Sequence, residues 1–283
     1  MSAAAPLMDW PDLLGRPLPR PSERVAYGPG PLQFGELWLP AGKGPFPVVL
    51  MIHGGCWRSN IAKLSIMNYA AHDLAAQGIA VWNIEYRGID RPGGGYPGTF
   101  QDVAAGAEAL RGLAASHHLE IGRVVAVGHS AGGHLALWLA GRPSLPKSSV
   151  LWRPHPLPIA GVVSLGGVPD LTTAAESCGE DSVKGLVGAP SAAHPDVLAD
   201  TSPAELTIHA PVAVVNGEQD GVAPPSMARA FVAKMARRGM RFDEVVLPDT
   251  GHVELIAPGA RGWATAVTET RVLLGLLPSA DRR

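Results

Sequence analysis

Several things are scarce in this sequence, and each absence excludes a class of function. There is no run of Lys or Arg, and 23 basic against 25 acidic residues leave a net charge of −2. Nothing therefore argues for a nucleic-acid or anionic-membrane surface, and a small molecule is the expected partner. Only Cys56 and Cys178 occur. Two cysteines in so long a chain do not make a disulfide scaffold, so free thiols in a reducing compartment are expected. The first residues, MSAAAPLMDWPDLLGRPLPRP, lack a basic stretch followed by an apolar core, and no apolar run reaches membrane-spanning length. A soluble, cytoplasmic protein is expected, with homodimer formation left open. No H-E-x-x-H, C-x-x-C or P-loop pattern appears, and Gly93-Gly94-Gly95 lacks the strand-to-helix setting of a dinucleotide site. The carboxylates show no glycosidase-like pairing. No metal and no cofactor are expected.

What is present is apolar and regularly patterned. With 283 residues, 46% of them hydrophobic, the chain can bury a large single core. Residues 1–21 are proline-rich and read as an arm, and 22–283 as one domain. Arg24–Tyr27 and Leu32–Leu39, parted by Gly28-Pro29-Gly30-Pro31, read as an antiparallel pair. From Val48 onward strand and helix alternate: strands at Val48–Ile52, Ile79–Ile84, Val124–Val127, Ile159–Leu165, Pro211–Asn216 and Phe242–Leu247. Helices are expected at Ile61–Gln77, Thr99–His117, from Ala131, at Pro224–Arg238 and at Pro258–Leu277. This alternation marks an α/β fold with a mostly parallel twisted sheet covered by helices on both faces. Residues 171–210 interrupt it and read as a small lid-like insertion over the strand ends.

The chain is organised around Val124–Ala140, VVAVGHSAGGHLALWLA. Its Gly128-His129-Ser130-Ala131-Gly132 is a G-x-S-x-G between a buried strand and an apolar helix, the setting in which a sharp turn lifts a serine hydroxyl clear of the backbone. Such a serine needs a base, and the base an orienting group. Asp220 and His252 each follow a strand, so both fall on the rim where parallel strands end, beside Ser130. Glu218 and Asp170 are lesser candidates for the acid, and His129 and His134 for the base. His53-Gly54-Gly55-Cys56-Trp57 ends the strand expected beside that of Ser130; its Gly55 and Cys56 amides, with that of Ala131, are the expected oxyanion donors. His53 is expected to fix this loop, and Gly54 could replace one donor. Trp57, Tyr86, Tyr96 and Trp138 are expected to line the substrate pocket.

HGGCW at 53–57, EYRG at 85–88, GHSAGGHLALWLA at 128–140, NGEQD at 216–220 and GH at 251–252 resemble the α/β-hydrolase superfamily. Within it they are similar to the kynurenine formamidase (arylformamidase) and small bacterial carboxylesterase branch. The resemblance implies an eight-stranded α/β-hydrolase fold and cofactor-free hydrolysis through an acyl-enzyme, with Ser130, Asp220 and His252 as nucleophile, acid and base. Cys56 departs from the HGGYW-like and HGGG loops of the relatives. The leading expectation is a serine carboxylesterase for a small ester. An arylformamidase is the alternative, and a non-catalytic ligand-binding hydrolase-fold protein a third.

Overall fold

A computed structural model of the chain describes residues 6–278. Eight strands form one sheet: β1 Glu23–Ala26, β2 Phe34–Trp38, β3 Phe46–Ile52, β4 Ala80–Ile84, β5 Leu119–His129, β6 Ile159–Leu165, β7 Val212–Gly217 and β8 Asp243–Leu247. Their spatial order is β1-β2-β4-β3-β5-β6-β7-β8, with β1, β2 and β4 paired antiparallel and every later pairing parallel. This is the α/β-hydrolase fold.

Why the central strands read as unbroken apolar runs is plain from their packing. Along β5, Val124 and Ala126 face one core cluster while Val125 and Val127 face the other, so both faces of the pleat are buried. The first face is covered by α3 Gly98–Ser116, α4 Ala131–Gly141 and α7 Pro225–Arg237, the second by α2 Asn68–Ala76 and α8 Arg261–Leu273. Every residue of α4 is buried, which is why it carries no polar stripe. The helix expected from Ile61 begins instead with a 3₁₀ turn at Leu64–Met67, leaving Ile61 exposed.

Two segments depart from a simple alternation. Residues 171–210 hold two short helices, α5 Ala175–Cys178 and α6 Glu180–Val187, packed sideways on loops of the first face: Arg58 donates to the Ser182 hydroxyl, and Leu186 joins that core. The other is the N-terminal arm, whose residues Trp10–Leu14 form a helix, α1, docked on the second face through fully buried Leu13. Asp9 and Asp12 cap it reciprocally, each carboxylate accepting from the other's amide, and Pro11 sits in its first turn.

Candidate active site

The turn from β5 into α4 is completed in a single residue. Ser130 stands at φ 55°, ψ −123°, a left-handed conformation that costs a side-chain-bearing residue on the order of 1–3 kcal/mol. Its amide donates to the Leu165 carbonyl and its carbonyl accepts from Gly133, so the neighbouring strand and the helix hold the strain in place. The turn also needs close approach. A Cβ at Gly132 would lie 2.1 Å from the Ile52 carbonyl oxygen, and one at Gly54 would lie 2.8 Å from the Ser130 Cβ. The G-x-S-x-G and H-G-G motifs are thus two halves of one packing solution, pressed together where β3 and β5 pair at Ile52 and Gly128.

Asp220 and His252 meet beside this turn. The His252 Nδ1 lies 2.7 Å from the Asp220 Oδ2, and the other Asp220 oxygen accepts from the amides of Val222 and Ala223 at 2.8 Å each. Both side chains are buried. A carboxylate can only accept, so Nδ1 is the donor in this contact, and in a neutral ring the lone pair is then on Nε2. His252 and Ser130 line the same cavity, about 350 Å³ in volume. Glu218 is exposed and its carboxylate is not brought to His252, and Asp170 accepts instead from Lys234 and Thr172.

The flanking histidines hold the frame. Burial, and next the charge of His252, push the His129 imidazole well below its ordinary value. Its Nε2 faces the His252 carbonyl at 3.1 Å, which a neutral ring can only engage as a donor, so His129 anchors the loop carrying His252. His134 is pushed down to about 4 by burial; its Nδ1 accepts from the Trp57 indole while Nε2 donates to the Thr201 carbonyl.

The loop after β3 has its own anchors. His53 places Nε2 2.7 Å from Glu85 and stacks on Tyr86, whose hydroxyl donates to the His53 carbonyl. Burial works to raise the Glu85 carboxyl, but adjacent His53 and the amides of Tyr86 and Leu64 outweigh it and hold the group below its usual value. Cys56 and Trp57 both adopt left-handed φ, 48° and 57°. Gly55 and Cys56 border the cavity with Ser130.

Three expectations need correction. Cys56 and Cys178 are not free thiols but a disulfide, joining the loop after β3 to the insertion across 122 positions. Cysteine count hid this because a single bridge, unlike a framework, leaves no spacing pattern; the argument for a reducing compartment falls with it. Trp57, Tyr86, Tyr96 and Trp138 are not brought to the cavity beside Ser130. Trp57, Tyr86 and Trp138 are fully buried in the first-face core, the Trp138 indole donating to the Asp200 carbonyl, and Tyr96 stacks on His194 over the insertion. Large rings beside such motifs read as pocket walls, but here Trp57, Tyr86 and Trp138 fill the first-face core. Finally, no residue of 171–210 lines the cavity; its outer wall comes from the arm, where Trp10 meets the His129 and His252 rings edge-on at 6.1 and 6.5 Å. The D-W-P-D-L-L cap pattern was the available signal for α1.

Among the described residues no helix is long and apolar enough to cross a membrane, and no cluster of His, Cys, Asp and Glu has the arrangement of a metal site. Similarity to known proteins runs along most of the chain. Relative to the non-reducing polyketide synthase Preu6 of Preussia isomera it is 24% identical over 79% of this chain, but spans only 13% of that protein's length. A bifunctional GH43-CE protein of Bacteroides eggerthii superposes with TM-score 0.71 at 24% identity, covering 89% of this chain and 38% of its own. Esterase B of Lactobacillus rhamnosis superposes with TM-score 0.75 at 20% identity, covering 93% of this chain and 89% of its own. The profile of the BD-FAE family matches residues 36–235, a span that runs from within β2 to within α7 and includes Ser130 and Asp220. The chain belongs to the BD-FAE family and carries its site on an α/β-hydrolase fold.

Proposed function

We propose that this protein is a serine esterase that cleaves a small carboxylic ester through an acyl-enzyme. The observation that carries the reading is the Asp220–His252 contact of 2.7 Å, with His252 and a left-handed Ser130 on one cavity wall. In this reading the Ser130 hydroxyl adds to the ester carbonyl as His252 Nε2 takes its proton. The Gly55, Cys56 and Ala131 amides stabilise the developing oxyanion, worth on the order of 3–4 kcal/mol per donor. Collapse expels the alcohol, which receives the proton from His252. Water, deprotonated by the same nitrogen, then releases the carboxylic acid and restores Ser130. Asp220 keeps the imidazole in the required tautomer and offsets its charge while the proton is on it. No cofactor enters the cycle.

The structural neighbours named as esterases support ester over amide chemistry, and the arylformamidase-like branch is the reading they do not favour. The non-catalytic alternative is disfavoured because hydroxyl and imidazole line one cavity and the carboxylate bonds the imidazole. A bridged Cys56 fits an oxidising compartment better than the cytoplasm. Purified protein assayed with p-nitrophenyl acetate and, separately, with N-formylkynurenine tests the proposal. Ester turnover that disappears in Ser130→Ala is expected; turnover of the formamide alone would overturn it.

A further inference from the structure

The cavity beside Ser130 differs in its two halves. Ser130, His252 and His129 form the reacting end, while the remaining side chains reaching it are apolar: Trp10 and Leu14 from α1, Ile61, Ala62 and Ile66 from the loop entering α2, and Val222 beside Asp220. Among the described residues no charged or amide side chain lines it, so it offers little to pair with hydroxyls of a carbohydrate, and a buried unpaired hydroxyl is costly. Leu14, Ile61 and Val222 are 48%, 61% and 41% exposed, which continues the apolar lining out to the mouth.

The wall itself is a separable part. Five residues of helix have no stability of their own, and α1 is held by a few docking contacts. Buried Leu13 seats it on the second-face core, the Arg16 guanidinium donates to the Pro258 carbonyl, and the Tyr69 hydroxyl donates to the Arg16 carbonyl. A fourth contact reaches the catalytic loop. Buried Glu254 accepts from the Met8 amide with one carboxylate oxygen and from the Gly251 amide, next to His252, with the other.

We infer that α1 is the specificity wall of this site: Trp10, with Leu14 outside it, closes a cavity that takes the uncharged apolar group of the ester and limits how large that group can be. The inference rests on the esterase reading and adds to it the substrate class and the residue that sizes the substrate. Trp10 is a specificity residue and takes no part in proton transfer; its ring edge also packs on His252, so its removal alters fit first and rate second.

The test measures kcat/KM for two series, p-nitrophenyl esters from acetyl to octanoyl and acetates of linear alcohols of increasing length, on the wild type, Trp10→Ala and Leu14→Ala. In Trp10→Ala the ratio of long-chain to acetyl substrate is expected to rise at least fivefold in one series, with a smaller rise in Leu14→Ala. Thermal melting establishes that each variant is folded, and Leu14→Ala, exposed in the native state, carries the test if Trp10→Ala does not fold. Wild-type turnover with ratios unchanged within twofold in both series overturns the inference while leaving the esterase reading intact. A wild type that prefers acetylated sugars to alkyl acetates also overturns it. A wild type inactive on every ester removes the esterase reading, and the inference with it.

Discussion

At the scale of single residues, the candidate site is assembled from side chains whose positions the fold has already decided. Ser130 sits in a conformation that only its surroundings make tolerable. In the proposed mechanism Ser130→Ala should lower kcat by on the order of 10⁴-fold or more, because nucleophile, base and acid act as a unit. Ser130→Gly should be equally inactive yet melt higher than Ser130→Ala, since glycine takes the left-handed conformation without penalty. Calorimetry on the two variants checks this, and a lower melting temperature for the glycine variant would contradict the strain argument. His134 makes a second residue-scale prediction. Its value of about 4, against 6.5 for a free imidazole, means that the unfolded chain binds a proton the native state refuses as pH falls through that interval. Stability should thus decline on acidification from about pH 6.5 to 4, and His134→Gln should flatten the slope there by up to about 1.4 kcal/mol per pH unit. Denaturant titrations at several pH values measure it.

At the scale of elements, the loop after β3 is the part whose geometry has most to lose. It is pinned at one end by His53, Glu85 and Tyr86 and at the other by the bridge to Cys178. Cys178→Ser leaves the sequence of the expected oxyanion loop untouched but frees its far anchor. The melting temperature should fall, by the equivalent of roughly 2–5 kcal/mol for loss of a native bridge. Further, kcat for an ester should drop about tenfold or more as the amides of Gly55 and Cys56 lose their aim. Unchanged kcat in a folded variant would show that the bridge does not position the loop. The elements themselves were largely legible in the sequence, and the reason is periodicity. β6 was expected at Ile159–Leu165 and is found there, because a strand buried on both faces writes itself as a short apolar run. The grouping of Ser130, Asp220 and His252 is legible for a related reason: each lies shortly after the end of a strand of a parallel sheet, where topology brings residues together. The bridge and the destination of α1 were not legible, since both depend on contacts between segments far apart in sequence. Leu13 seats on a core formed by α2 and α8, and no local pattern announces that partner.

At the scale of the whole molecule, acid should act on stability through more than one site, in the same direction. Glu85 is held below its free value of 4.5, so its contribution is present above that pH and lost as pH falls through the lower, folded value. His134 acts over the higher interval, so unfolding should proceed in two stages of slope, the second blunted in Glu85→Gln. A melting profile from pH 7 to 3 with one slope throughout, unaltered by Glu85→Gln, would contradict this. The same architecture explains why aromatic residues near the motifs do not mark the cavity. The rings of Trp57, Tyr86 and, on α4 itself, Trp138 are buried in the first-face core, whereas the apolar side chains at the cavity come from α1, the segment before α2 and Val222. Rigid elements hold the reacting groups, and the lightly docked arm shapes what reaches them. The account as a whole depends on Ser130 forming a covalent bond in the reaction. The most direct measurement is mass spectrometry of the peptide containing Ser130 after exposure to a fluorophosphonate, in the wild type and in His252→Ala. Stoichiometric labelling of Ser130 that is lost in His252→Ala is predicted; ester hydrolysis that survives with Ser130 unlabelled would contradict the account.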